Sequence, residues 1–379
     1  MKKGLFALAL GTFTLGMAEF IIEGIITDIA HDMNVSIPEV GHLISIYAIG
    51  VCVGAFSLIP MHKYRPKHIL LFLSSLIVVG AVIASLAPNY WLLLCARFIQ
   101  GLPHGAYFGT GTIVAVTRAK EGKGSKAVAM MCAGMPFANL MGVPLGTFLS
   151  HTMSWRVPFL MSIALGIVTL YMIYRWVPNV EALPNKGMKA QFRFLRHLAP
   201  WLIILATFMG NGGILCWLSY ISPLLQTNVG FSAASISVLM VLAGGGMVVG
   251  NQVSALFADR FQPGRFTCCL QFIAAVALLL TFFFSTNGWV VVAMMFICCV
   301  CLFGIGSPEQ YLIVKHAEGG EMLGGCCIQA AFNLGNALGA FFGGIPVMMG
   351  LGYNFPALIG VPMALIGAFC LLAFHRKYE

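Results

Sequence analysis

Lys63-Tyr64-Arg65-Pro66-Lys67, then HILLFLSSLIVVGAVIASLA over residues 68–87: a basic cluster gives way to a long run without a formal charge. A helix that crosses a bilayer needs about 20 mostly apolar residues at about 1.5 Å each. This run supplies them, and basic residues at one end mark the side that stays in the cytoplasm. Outward from it in both directions the pattern repeats, predicting spans at 4–30, 39–61, 68–87, 90–117, 126–150, 155–176, 198–225, 232–258, 266–286, 288–314, 321–350 and 352–374. Kinks are expected in the fifth and eleventh. The chain is 59% hydrophobic and 9% charged, against about 25% charged in ordinary soluble domains. So much apolar surface requires lipid as its solvent.

The basic residues set the topology. They fall at Lys2 and Lys3, in the 63–67 cluster, at Arg118, Lys120, Lys123 and Lys126, from Arg175 to Arg196, at Arg260 and Arg265, at Lys315, and at Arg376 and Lys377. Of the 21 lysines and arginines, only Arg97 and Arg156 lie elsewhere. Both termini are therefore expected in the cytoplasm. The net charge of +9 suggests nucleic acid at first sight, but it is spread along alternate loops as an orientation signal and forms no contiguous patch. Met1-Lys2-Lys3 and the apolar run after it imitate a signal peptide. That run continues past residue 25 without a small-residue cleavage site and reads as the first retained span. The cysteines, Cys268-Cys269, Cys298, Cys301 and Cys326-Cys327 among them, sit in apolar runs and read as small packing residues, not metal ligands or disulfides.

The polar stretch 177–197, with Pro178, Pro184, Asn185, Lys186, Lys189, Arg193 and Arg196, divides the chain into an N-terminal six-helix bundle (1–176) and a C-terminal one (198–379). The halves echo one another. Lys63-Tyr64-Arg65-Pro66 returns as Arg260-Phe261-Gln262-Pro263. Gly142-Val-Pro144-Leu-Gly146 returns as Gly335-Asn-Ala-Leu-Gly339, with Asn139 and Asn333 just upstream. Glycine pairs at this spacing serve close helix packing in many membrane proteins. Two halves repeated throughout are what a carrier needs to rock about a site at mid-membrane. The expected fold is all-α and polytopic, twelve transmembrane helices in two pseudo-symmetric six-helix bundles.

Several motifs resemble those of the major facilitator superfamily. Ala258-Asp259-Arg260-Phe261-Gln262-Pro263-Gly264-Arg265 resembles its G-x-x-x-D-R-x-G-R-R loop signature. The first-half copy, Met61-His62-Lys63-Tyr64-Arg65-Pro66-Lys67, has His62 where the acid usually stands. Arg97-Phe-Ile-Gln100-Gly101 is similar to the family's R-x-x-q-G motif for proton coupling, and Gly142, Pro144 and Gly146 to its antiporter motif. Within the superfamily the chain resembles bacterial drug:proton antiporter-type permeases, and more narrowly AraJ-type sugar (arabinose) efflux proteins, through Gly16-Met17-Ala18-Glu19-Phe20, Pro103-His104-Gly105 and Phe332-Asn333-Leu334-Gly335. The resemblance implies a monomer in the bacterial inner membrane that exports a small molecule, driven by a proton gradient without a cofactor. It also implies that Lys63, Asp259, Arg260 and Arg265 latch the inner gate, with Asp259 and Arg260 tying helix ends at the cytoplasmic face of the second half.

Ionisable residues inside spans are functional candidates by default. Glu19 and Glu23 lie four apart on one face of the first span; Arg97 and His104 share a face of the fourth. At about 1.5 Å per residue, Glu19 falls level with His104 and Glu23 level with Arg97. A carboxyl whose contact with a cation is made and broken by a conformational change can take a proton on one side and release it on the other. The bland alternative is a static ion pair between helices. Gln100, Asn139, Asn211, Trp217, Tyr220 and Asn333 are substrate-binding candidates; an indole or a phenol can stack on a ring and hydrogen-bond its edge. Glu309 is expected to face water at the inner mouth, and Asp28, Asp32 and Glu39 to lie in the outer loop after span one. The nine histidines are scattered, with no H-E-x-x-H and no phosphate-binding loop, so an embedded enzyme or sensor finds no support. Charge and spacing leave uptake by proton symport open.

Overall fold

The computed structural model describes residues 2–35, 37–61, 63–181 and 191–379, apart from a few side chains, that of Glu23 among them. His62 and most of the expected linker, residues 182–190, fall outside the described residues. Among those described there is no strand. Eleven helices are long and apolar enough to cross a membrane. A twelfth, Tyr90–Thr117, is as long, but Arg97, Gln100 and His104 dilute its apolar character, and the other helices bury most of it. In lipid every backbone N–H and C=O must be satisfied within the chain, which is why helices carry the whole fold.

The spans run Lys2–Met33, Ile37–Met61, Pro66–Leu86, Tyr90–Thr117, Gly124–Thr152, Val157–Trp176, Leu198–Thr227, Ala233–Phe257, Pro263–Phe283, Gly288–His316, Glu321–Met348 and Phe355–Tyr378. Their starts repeat between the two sets of six. Proline opens the third span at Pro66 and the ninth at Pro263, where a missing N–H costs nothing. The Asn89 side chain caps the fourth span and that of Asn287 the tenth. Trp289, Met348 and Leu86 are exposed on the outer surface, as side chains facing acyl chains can be.

The kinks differ from expectation. The fifth span is broken as expected, with a π-helical turn at Ala138–Gly142 just before Pro144. Pro144 has no N–H to give to the preceding turn. The eleventh is one unbroken helix, because its glycine pair encloses no proline. The second break lies in span seven instead, a π-helical turn at Ala206–Asn211 followed by Gly212 and Gly213. Such turns add a residue and re-aim side chains, often at functional sites.

The glycine pairs also repeat in space. A methyl group at Gly142 would lie 2.9 Å from Met17 Cγ, and one at Gly146 would lie 2.6 Å from Ile21 Cδ1. Span five thus lies close on span one. In the second half Gly339 faces the Gly212 carbonyl, where a methyl carbon would stand 2.5 Å away, so span eleven lies close on span seven. At the end that carries Leu5 and Phe374 the two halves share one apolar core: Leu8, Phe108, Val128 and Met131 meet Ile203, Leu312, Met322 and Cys326. A methyl on Gly325 would lie 2.5 Å from Gly109 Cα, so the fourth and eleventh spans meet backbone to backbone. At the opposite end the cores are separate. One holds Ile21, Ile25, Leu43 and Trp155 of the first half; the other holds Ile214, Leu224, Leu278 and Val291 of the second.

Candidate transport site

In the first half, spans one, two and four converge on a buried polar chain. Arg97 is fully buried. Its Nη1 donates to the Ala18 carbonyl and, at 3.0 Å, to Gln100 Oε1, and its Nε donates to the Leu43 carbonyl at 3.3 Å. The guanidinium lies over the Tyr47 ring, 4.4 Å from its centroid. The Tyr47 hydroxyl bonds His104 Nδ1 at 2.8 Å, and His104 Nε2 stands 3.9 Å from Glu19 Oε2. The structure therefore brings Glu19, His104, Arg97 and Gln100 together. Arg97 reaches the Ala18 and Leu43 carbonyls and the Gln100 amide; the expected level pairing of Arg97 with Glu23 falls on a side chain outside the described ones. Tyr47, the link between Arg97 and His104, escaped the sequence reading: a tyrosine in an apolar run carries no signal of its own.

The second half holds a counterpart. Glu309 does not face water; it is fully buried, on a span that Gly304 lets lie close against Leu270 and Gly250. Glu309 Oε2 accepts from Thr207 Oγ1 at 2.8 Å and from Asn211 Nδ2 at 3.2 Å. Both donors come from the π-helical turn of span seven, which brings them to one face. Gln271 Nε2 in turn reaches Asn211 Oδ1 at 3.4 Å. A signal for Glu309 was present in the repeat: Gly101-Leu-Pro103-His104 matches Gly306-Ser-Pro308-Glu309. An acid on span one faces a base on span four; an amide on span seven faces an acid on span ten.

Between the halves lies a cavity lined from the first half by Phe20, Phe108 and Met135 and from the second by Asn211, Glu309 and Phe332, among others. Of the substrate candidates, Asn211 lines it. Trp217 is buried in the second-half core, and the Tyr220 hydroxyl donates to the Ala340 carbonyl at 2.8 Å. Asn139 donates to the Met135 carbonyl and Asn333 to that of Gln329.

The loop residues form a tie of a different kind from the one expected. Asp259 was to join helix ends within the second half. Its carboxylate instead accepts from the backbone N–H groups of Ser125 and Lys126, both at 2.9 Å, in the first turn of span five. Free N–H groups and the positive end of the helix dipole make that turn a natural anion site. Arg260 lies near the Phe261 ring and Lys63 near that of Tyr64. The Arg265 and Gly264 amides donate to the Glu379 side chain. At the far end Asp28 and Asp32 belong to the first helix, not to a loop, because that helix runs on to Met33. Asp28 bonds Ser150 and His151, and Asp32 bonds Trp155 Nε1 and Arg156 Nη1 at 2.8 and 2.9 Å. Glu39 lies in the first turn of the second helix.

The family model of the Major Facilitator Superfamily matches residues 8–325. The chain belongs to that superfamily. As a major facilitator protein it is a multi-pass membrane transporter and not an enzyme. AraJ of Escherichia coli K12, which its name describes as a transporter, is 44% identical over 377 residues, covering 99% of this chain and 96% of that one. A protein of Helicobacter acinonychis named for sugar efflux is 25% identical over 368 residues, with 96% and 93% covered. Among solved structures, the major facilitator FucP in its outward conformation superposes with a TM-score of 0.82 at 15% identity, covering 98% of both chains. That likeness is one of fold.

Proposed function

We propose that this transporter exports a small organic solute across the bacterial inner membrane in exchange for protons, with both termini in the cytoplasm and the two six-helix bundles rocking about the central cavity. The observation that carries this reading is the buried Glu19–His104 contact, 3.9 Å across spans one and four, continued through Tyr47 to Arg97. Spans one and four belong to the same half, so rocking keeps this acid–base pair together, but both spans also line the cavity between the halves, and rocking changes which side's water reaches the pair. Each cycle then loads a proton on one face and discharges it on the other. The alternation of basic loops supports the orientation, and the relatives named for sugar efflux support the direction.

Glu19→Gln keeps the shape and hydrogen bonding of the side chain but cannot cycle a proton. In proteoliposomes carrying this variant, gradient-driven accumulation of solute is expected to disappear while downhill exchange persists. Full uphill transport by the variant would place the coupling group elsewhere; loss of solute binding would move Glu19 into the solute site.

A further inference from the structure

Export leaves the chemistry of the solute open, and the cavity lining bears on it. Among its polar groups, Asn251 donates to the Ala129 carbonyl at 3.0 Å and accepts from Ser307 at 3.1 Å. Thr207 and Asn211 both donate to Glu309 Oε2, and Gln329 donates to Gln310 at 3.2 Å. Of the buried polar atoms that line the cavity, Glu309 Oε1 alone has no hydrogen-bond partner among the described residues. Nor does any described lysine, arginine or histidine form a salt bridge with this carboxyl. Phe20, Phe108, Phe303 and Phe332 supply aromatic surface from both halves.

A polyol carries a hydroxyl on nearly every carbon and needs a matching set of partners, since each unmatched polar group costs affinity. Among its buried acceptors this lining leaves one without a partner, and the wall is largely apolar. A carboxyl sealed away without a counter-charge is costly, and a cationic ligand removes that cost. Aromatic faces attract the same charge. We propose that the cavity binds an organic ammonium ion with an apolar, ring-bearing body, its N–H donated to Glu309 Oε1 and its rings lying among the four phenylalanines. The proposal rests on the export reading and names the class of solute exported. It also separates the two acids: Glu309 meets the solute, while Glu19 with His104 handles the proton.

The test is binding of rhodamine 6G, a lipophilic amine cation, to the purified full chain in nanodiscs, followed by fluorescence anisotropy with L-arabinose as competitor. The dye is expected to bind, and excess arabinose is expected not to displace it. Glu309→Gln, which keeps size but not charge, should weaken binding about tenfold or more, the loss of one charge-assisted hydrogen bond. Phe303→Ala should weaken it as well. If Glu309→Gln does not fold, Glu309→Asp serves instead, with charge kept but drawn back by one methylene, and it should weaken dye binding too. No binding by the native protein, undiminished binding by the Glu309 variant, or displacement by arabinose would overturn the proposal. Proton movement in proteoliposomes separates it from the export reading. Arabinose-driven proton movement without dye binding would refute the ammonium site and leave export standing. Glu309-dependent dye binding without proton movement would support the site and refute proton-coupled export.

Discussion

Replacing Asp259 with asparagine tests whether one carboxylate holds the two halves together at the end where they share a core. In the native protein Asp259 accepts two backbone N–H groups of the opposite half, each at 2.9 Å. Hydrogen bonds to a charged group contribute about 1.5–3 kcal/mol each. An amide oxygen in the same place retains one neutral bond and loses both the second bond and the charge facing the helix dipole. The expected loss is therefore about 1.5–3 kcal/mol, and because Asp259 is only half-buried the lower figure applies. At about 1.4 kcal/mol per factor of ten, separation of the halves at this end becomes about tenfold more frequent. Hydrogen exchange read by mass spectrometry measures that frequency directly. Peptides covering residues 124–137 and 321–330 should exchange about tenfold faster in Asp259→Asn, while peptides near Trp155 and Arg156 should not change. Unchanged exchange in the first group, with unchanged transport, would show that Asp259 is only part of a topogenic loop.

Three further outcomes follow from the geometry. Arg97→Lys cannot reach the Ala18 and Leu43 carbonyls and Gln100 together, since a point ammonium replaces a planar fork; transport rates in proteoliposomes should fall by at least about tenfold, and near-native rates would show that charge alone suffices. Gly339→Val places a branched side chain against the Gly212 backbone, which cannot turn aside as a side chain can, and should cost about 1–3 kcal/mol or more, seen as a lower unfolding temperature in detergent. Asp32 bonds Trp155 and Arg156 through its carboxylate, so the stability it adds is present while that group is charged and fades as falling pH protonates it. For a half-exposed pair it is worth at most about 1 kcal/mol. The difference in unfolding temperature between native protein and Asp32→Asn should be present near neutral pH and vanish at the acid end, and a difference that persists there would refute the assignment.

Much of this could be read from the chain because lipid imposes a simple code. Long uncharged runs must be helices, basic loops orient them, and the Asn89/Asn287 and Pro66/Pro263 starts recur in step with the repeat. The Glu19–His104 contact was also within reach, since helix rise converts sequence position into depth. Glu309 was missed because its distance in sequence from Lys315 suggested the membrane surface. Depth along a helix does not report whether a neighbouring helix covers the residue. Tyr47 and the span-seven turn were missed for a related reason: both act through a partner on another span, and periodicity is blind to such partners. Asp259 was placed on the correct loop but its partner was expected in the wrong half, because a loop signature names the anion and not the helix end that receives it.

The shared apolar core at one end also makes the carrier a thermometer of sorts. Parting the halves there exposes Leu8, Phe108, Ile203 and Met322 to water, and exposure of apolar surface raises heat capacity. The apolar contribution to holding that end shut therefore weakens on cooling, while the Asp259 tie, being polar, has no such dependence. In the cold the seal rests increasingly on polar ties, the Asp259 carboxylate and the Asn251–Ala129 hydrogen bond among them.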